Sequence, residues 1–185
     1  RSGDNLVITN KYRTLDTKVN SIIEKGGTEE ITKDNREIEY NIEYNVTVKD
    51  YIGEATVTIV DTLPAKIDTS RSELAGGTYD ASAKTITWTE ELTGINSYAE
   101  ANKTFTRTFE KQITVVYDGQ DVTKALVNTV KGTISTYYPD VHPTKARTVK
   151  TTVQDEKTAT VLQEYKVNRT VQVVWDDNNN EKGNR

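Results

Sequence analysis

The sequence predicts an all-β fold of antiparallel strands packed as a sandwich, and three observations support this prediction. Apolar and polar residues alternate in short segments along the 185-residue chain, as they do in strands with one buried face. Threonine and valine are frequent and tyrosine occurs 10 times, and such side chains suit a pleated, half-buried surface. Only 34% of the residues are hydrophobic, so the core must come from alternate strand positions rather than from solid apolar runs.

The clearest alternation runs from Ile38 to Val46, where apolar residues occupy every even position and polar residues the odd ones. A period of two places successive side chains on opposite faces of a strand. The same parity predicts that six residues lie in the core: Tyr40, Ile42, Tyr44, Val57, Ile59 and Trp88.

Further strand-like segments occupy residues 6–9, 19–23, 55–60, 85–88, 105–109, 113–117, 125–134, 148–153, 159–162 and 171–175. Turn signals separate several of them, among them Gly26-Gly27, Gly76-Gly77 and Asp118-Gly119. About ten short strands with turns between them are typical of a β-sandwich.

Composition excludes several classes of function. The net charge of -4 and the pI near 5.2 give no concentrated basic face for nucleic acid. With no cysteine, the chain has no disulfide, no cysteine zinc site and no thiol nucleophile. No apolar run is long enough to span a membrane. We therefore expect no nucleic-acid partner and no membrane insertion in this chain.

Catalytic and metal-binding patterns are also missing from the sequence. His142 is the only histidine and has no serine or cysteine elbow motif to serve. Asp176, Asn178 and Asn180 have the spacing of calcium ligands, but Glu181 stands where an EF-hand needs glycine. We expect no enzyme with turnover, no metal site and no cofactor.

Several segments resemble, in order and spacing, the isopeptide-forming repeat domains of Gram-positive surface adhesins and pilus backbones. The resemblance runs from about residue 11 to residue 137 and is carried by residues 37–44, 55–64, 77–80, 86–88 and 126–130. It implies an immunoglobulin-like antiparallel β-sandwich with an internal side-chain crosslink.

The two flanks resemble a different module, the B-type repeat of collagen-binding adhesins. Residues 6–10 are similar to its last strand, and residues 174–179 to its first strand and turn. This implies three parts: residues 1–10 from a preceding repeat, a central domain at 11–165, and residues 166–185 from a following repeat.

In the resembled family, a lysine on the first strand, an asparagine on the last and an acid on a middle strand form an amide spontaneously. The matching positions are Lys18, Asn128 and Asp61, with Lys11 and Lys25 as alternative lysines. A desolvated amine loses its proton and becomes a nucleophile. A carboxyl kept protonated by apolar surroundings polarises the amide and shuttles the proton.

Two simpler interpretations of these residues remain open at this point. Asp61 precedes Thr62, Leu63 and Pro64, where an aspartate can cap a turn through the backbone. Asn128 is unfavourable within a strand, but an outward-facing side chain would account for it.

The resemblance implies an extracellular stalk or spacer of an adhesin or pilus-like protein, anchored to the cell wall through parts outside this chain. Its partners would be neighbouring repeat domains. The alternative is a binding module for a host matrix protein or glycan. Such a module would use residues 94–103 or 137–145, with Tyr98, Tyr137 and Tyr138 as contact residues.

Overall fold

The computed structural model describes residues 17–32, 35–51, 53–93, 103–118, 125–137 and 148–162. These residues form nine strands: β1 (Lys18–Gly27), β2 (Glu30–Thr32), β3 (Glu37–Lys49), β4 (Glu54–Thr62), β5 (Thr78–Asp80), β6 (Thr85–Leu92), β7 (Thr104–Val116), β8 (Leu126–Tyr137) and β9 (Thr148–Leu162). Within the described part of the chain, no helix is long and apolar enough to cross a membrane. The expected flanking strands and the boundaries of the three parts lie outside the described residues.

The strands form two sheets that enclose one hydrophobic core. The first sheet has the order β1-β3-β7, and the second has the order β2-β9-β8-β4-β6-β5. Neighbouring strands are antiparallel in both sheets, except for the short parallel pair of β2 with β9. The predicted immunoglobulin-like antiparallel β-sandwich is confirmed.

The core follows the alternation of the sequence. Along the 13 residues of β3, the even positions from Ile38 to Val48 are buried and the odd positions face outward. All six predicted core residues are at most 4% exposed, which confirms the parity prediction. Burying one such large side chain stabilises the fold by about 1.5–3 kcal/mol.

Strand β7 is continuous where the sequence predicted two separate strands. The predicted break fell at Glu110, Lys111 and Gln112, because a lysine at an inward position interrupts the apolar pattern. In the structure, the Lys111 ammonium lies at the margin of the sandwich, 2.8 Å from the Glu90 carboxylate on β6. An ion pair at the margin lets the strand continue without burying an unpaired charge.

Strand β9 joins two predicted segments in the same way. Its inward positions include Asp155 and Lys157 between the apolar stretches, and both side chains have partners. The sequence pattern loses its apolar period there, yet all twelve residues from Thr148 to Ala159 pair with β8. Pairing with a neighbouring strand therefore continues across a polar stretch that the local pattern marks as a break.

Directly after β1 the chain passes from the first sheet to the second. The Thr28 N–H still bonds to the Glu39 carbonyl of β3, at 2.9 Å, whereas the Glu29 carbonyl already accepts from Thr160 of β9, at 2.8 Å. Gly27 makes this crossing with φ of 141°, and a Cβ there would overlap the Glu39 carbonyl oxygen. Because of this crossing, the last residues of β1 lie beside both β3 of the first sheet and β9 of the second.

Candidate functional site

Three buried polar side chains meet inside the sandwich. The Lys25 Nζ lies 2.5 Å from Asp61 Oδ1, and both side chains are completely removed from solvent. The Asn128 Nδ2 donates to the other carboxyl oxygen, Asp61 Oδ2, at 3.0 Å. One carboxyl group thus bridges an amine and a primary amide, and we call these three residues the core triad.

The core triad is assembled from both sheets. Lys25 comes from β1 of the first sheet, whereas Asp61 on β4 and Asn128 on β8 belong to neighbouring strands of the second. Asp61 is paired with Val130, two residues along β8 from Asn128, so both polar side chains point to the same face. Lys25 shares the inward parity of Ile23 and therefore points toward them.

The structure does not bring Lys18 to this site, which corrects the choice of lysine made from the sequence. Lys18 is exposed at the start of β1, paired with Lys49 of β3. Lys25 lies seven residue steps further along the strand, a span of about 23 Å, and an odd number of steps also reverses the face. Lys11, the other alternative, lies outside the described residues.

Asp61 lies on β4, and Asn128 lies on β8, the strand before the last described one, and their burial and contacts decide between the two simpler interpretations. Both are 0% exposed, so Asn128 does not face outward. The Asp61 carboxyl contacts Lys25 and Asn128, while the turn after β4 is held by the Leu63 N–H, which donates to the Lys84 carbonyl at 2.8 Å. The core triad therefore accounts for both polar residues at buried positions.

Burial shifts the two charged members toward their neutral forms. Desolvation lowers the pKa of the Lys25 amine, and the neighbouring Asp61 charge only partly offsets this effect. Desolvation likewise raises the pKa of the Asp61 carboxyl, against the attraction of Lys25. The two shifts bring the neutral pair, a free amine beside a protonated acid, closer in free energy to the ion pair.

A buried tyrosine, Tyr40, lies against the amine, and a second one, Tyr117, contacts the first. The Lys25 Nζ lies 4.5 Å from the centroid of the Tyr40 ring, and the Tyr40 hydroxyl is 3.0 Å from that of Tyr117. Burial raises the pKa of both phenols, so they stay neutral. The Tyr40 ring covers the amine and helps to keep water from it, and this exclusion lowers its affinity for a proton.

The amide of Asn128 can meet Asp61 in two orientations. With Nδ2 toward the carboxylate, Asn128 Oδ1 is buried without a hydrogen-bond partner among the described residues. A half-turn of the amide brings Oδ1 to Asp61 instead, and a protonated Asp61 would then donate to it. The proton state of Asp61 and the amide orientation are therefore linked.

The sequence analysis did not choose Lys25, although one signal for it was available. Val19 and Ile23 are the apolar residues of one face of β1, and Lys25 continues that odd parity while Lys18 does not. The predicted strand, 19–23, ended before Lys25, so the parity was not extended to it. Two further residues of the site had no comparable signal in the sequence: Tyr117, which contacts Tyr40, and Asp155, which contacts the Lys25 backbone.

Comparison with known proteins leaves the function to be argued from the site. No family model matches the chain, and a search of curated proteins gave no match. Similar solved structures include the major subunit of aggregative adherence fimbriae type I from Escherichia coli, at 13% identity and a TM-score of 0.38, covering 83% of this chain and 100% of that one.

Two further solved structures are similar at the same low level. The collagen-binding domain of a Staphylococcus aureus adhesin has 13% identity and a TM-score of 0.26, covering 72% of this chain and 97% of that one. AvmM, which catalyses macrocyclisation in alchivemycin A biosynthesis, has 10% identity and a TM-score of 0.33, covering 85% and 98%. TM-scores this low, shared by adhesins and an enzyme, assign no function.

Proposed function

We propose that this chain is a structural module of a bacterial surface adhesin or pilus-like protein, stabilised by an amide that it forms between its own Lys25 and Asn128. One observation carries the proposal: the buried Asp61 carboxyl contacts the Lys25 amine and the Asn128 amide at once. The order of lysine, acid and asparagine along the chain is that of the resembled family.

The reaction balances within the core triad. Neutral Lys25 Nζ attacks Asn128 Cγ, so the Nζ–Cγ bond forms and the Cγ–Nδ2 bond breaks. Protonated Asp61 donates a hydrogen bond to Asn128 Oδ1 during the attack, then takes a proton from Nζ and passes one to Nδ2, which leaves as ammonia. Asp61 ends in its starting state, and the chain is one ammonia lighter.

This amide would tie the two sheets together, since β1 and β8 belong to different sheets. It closes a loop of about a hundred residues, which the chain-entropy model of crosslinks values at about 4.7 kcal/mol. Under tension, the residues between the two anchors could not extend. Both effects suit a module that holds another domain away from a cell surface.

The remaining parts of the proposal follow from the same resemblance. The module would be extracellular, would be anchored to the cell wall through other parts of the protein, and would contact neighbouring repeat domains. Binding of a host matrix protein or glycan stays an alternative prediction. Most of its expected loops, and the side chains of Tyr98, Tyr137 and Tyr138, lie outside the described residues.

Intact-mass measurement of the purified chain tests the proposal. The expected mass is one ammonia below that of the sequence, and Lys25→Ala and Asn128→Ala should each restore the sequence mass of the variant. Asp61→Ala should also restore it, because this variant keeps both partners and removes only the proton shuttle.

Lys18→Ala is the matched control, since it removes a lysine from the same strand but from the opposite face. It should keep the loss of ammonia. A wild-type mass equal to the sequence mass would overturn the proposed amide. A Lys18→Ala variant that alone lost the crosslink would overturn the assignment to Lys25.

A further inference from the structure

The main chain of Lys25 is held by a side chain from the opposite sheet. Its backbone N–H donates to Asp155 Oδ2 of β9 at 2.8 Å. Backbone N–H groups along an edge strand point alternately toward the neighbouring strand and away from it. That of Lys25 points away from β3, and Asp155 supplies the acceptor that a further strand would otherwise provide.

Asp155 lies in register with the acid of the core triad. Val130 of β8 is paired with Asp61 on one side and with Asp155 on the other, so the three residues form one row across the second sheet. Residues directly opposite each other share a face of the sheet, and this face is the inward one. Lys25 is thus held at two points by one row: its amine by Asp61 and its backbone by Asp155.

We propose that Asp155 is a positioning residue for amide formation, fixing the Lys25 backbone so that the amine meets the Asn128 amide. The inference rests on the proposed self-crosslinking, and it assigns a function to a residue outside the core triad. Lys25 stands two residues before Gly27, where the chain crosses between sheets. A backbone anchor at this point sets the origin from which the four-carbon side chain reaches.

The geometry, rather than the charge, of Asp155 serves this role. The negative charge of Asp155 raises the pKa of Lys25, which opposes formation of the neutral amine. A carboxylate would therefore be a poor choice if only activation of the amine mattered. A neutral acceptor of the same shape should hold the backbone equally well, which separates positioning from electrostatic activation.

The rate of amide formation tests the inference with the full chain. Unfolded chain, recovered from inclusion bodies in denaturant and checked to have the sequence mass, is diluted into refolding buffer. Samples are quenched in acid at intervals, and intact mass gives the fraction that has lost ammonia. We expect Asp155→Ala to slow the reaction about ten- to a hundredfold, because small misplacements of reacting groups cost about that much. Asp155→Asn should restore a rate near that of the wild type.

Lys157→Ala is the matched control on β9. Lys157 shares the inward parity of Asp155 but pairs with Glu29 instead of Lys25, so its variant should react at the wild-type rate. Asp155→Ser, too short to reach the backbone N–H, serves as a second test if Asp155→Ala does not fold. Circular dichroism in an Asn128→Ala background shows whether each variant is folded at the assay temperature.

Two results would overturn the inference while leaving the proposed function in place. One is a wild-type rate in folded Asp155→Ala or Asp155→Ser. The other is an Asp155→Asn rate as slow as that of Asp155→Ala, which would exclude a role as a neutral acceptor. A wild-type chain that never loses ammonia would instead overturn the crosslink itself, together with the inference.

Discussion

Strand β1 carries two lysines whose surroundings are opposite. Lys18, at its start, is exposed and lies opposite Lys49 of β3 in the strand register, whereas the side chain of Lys25, near its end, is buried and contacts a buried carboxyl. Both belong to the same strand, and both match a lysine on the first strand of the resembled family. The strand face, rather than the order along the chain, decides which amine loses water and gains nucleophilic character.

Removing the Lys25 amine should give the largest effect. Lys25→Ala loses the proposed amide, valued at about 4.7 kcal/mol, so the melting temperature should fall by about 10–20 °C. Lys18→Ala removes an exposed side chain, and interactions of exposed charges contribute little, so it should change stability by at most about 1 kcal/mol. Thermal unfolding of the two variants beside the wild type measures the contrast. Equal, small shifts of the melting temperature in both variants would contradict the proposed difference between Lys18 and Lys25.

The crossing at the end of β1 offers a second, smaller test. Gly27→Ala should destabilise the fold by about 1–3 kcal/mol, because Gly27 has φ of 141° and a Cβ there would overlap the Glu39 backbone. Gly26→Ala is the control, since a Cβ at Gly26 meets nothing within 4 Å. Urea unfolding of both variants in an Asn128→Ala background separates this strain from the crosslink. The prediction fails if both variants unfold at the same midpoint.

The pH dependence of amide formation tests which protonation states of Lys25 and Asp61 react. The reactive pair, neutral Lys25 with protonated Asp61, binds the same number of protons as the ion pair, so the rate should be flat between the two apparent pKa values of the pair. It should fall at lower pH, where both groups are protonated, and at higher pH, where both have lost a proton. Refolding by dilution into a series of buffers measures this profile. A rate rising tenfold per pH unit across the whole range would argue against protonated Asp61.

Another inward-facing lysine, on β7, should show that an inward position alone does not make a lysine important for stability. Lys111 on β7 pairs with Glu90 at 2.8 Å, but its side chain keeps 17% of its exposure and its partner 41%. Partly exposed pairs contribute little, so Lys111→Ala should lower the free energy of unfolding by at most about 1 kcal/mol. Denaturant unfolding gives the value. If Lys111→Ala lowered the free energy of unfolding as much as Lys25→Ala does, exposure to solvent would not explain the difference between these two lysines.

Much of the fold and part of the site could be predicted from the sequence. Period-two alternation identified the core of β3 and β4, and the resemblance identified Asp61 and Asn128, whose burial the structure shows. The lysine was missed because the predicted strand ended at Ile23, where β1 continues to Gly27. Lys25 stands directly before the predicted turn at Gly26-Gly27, so the predicted strand was not extended to it.

Contacts between the two sheets could not be predicted in this way. The bond from the Lys25 backbone to Asp155 joins strands from different sheets, 130 residues apart in the sequence. No periodicity within either strand encodes it, since it depends on how one edge of the first sheet meets β9. The same holds for the Tyr40 and Tyr117 hydroxyls, which come together only when the sandwich closes.

Tandem mass spectrometry of a tryptic digest tests the central claim most directly, because it identifies the two residues that the amide joins. An amide on Lys25 blocks cleavage there, so the account predicts a branched peptide of residues 19–33 joined to residues 125–131, with the branch at Lys25 and Asn128. A branch at Lys18 would instead link residues 14–25 to residues 125–131. Finding that second species, or only linear peptides 19–25, 26–33 and 125–131, would contradict the account.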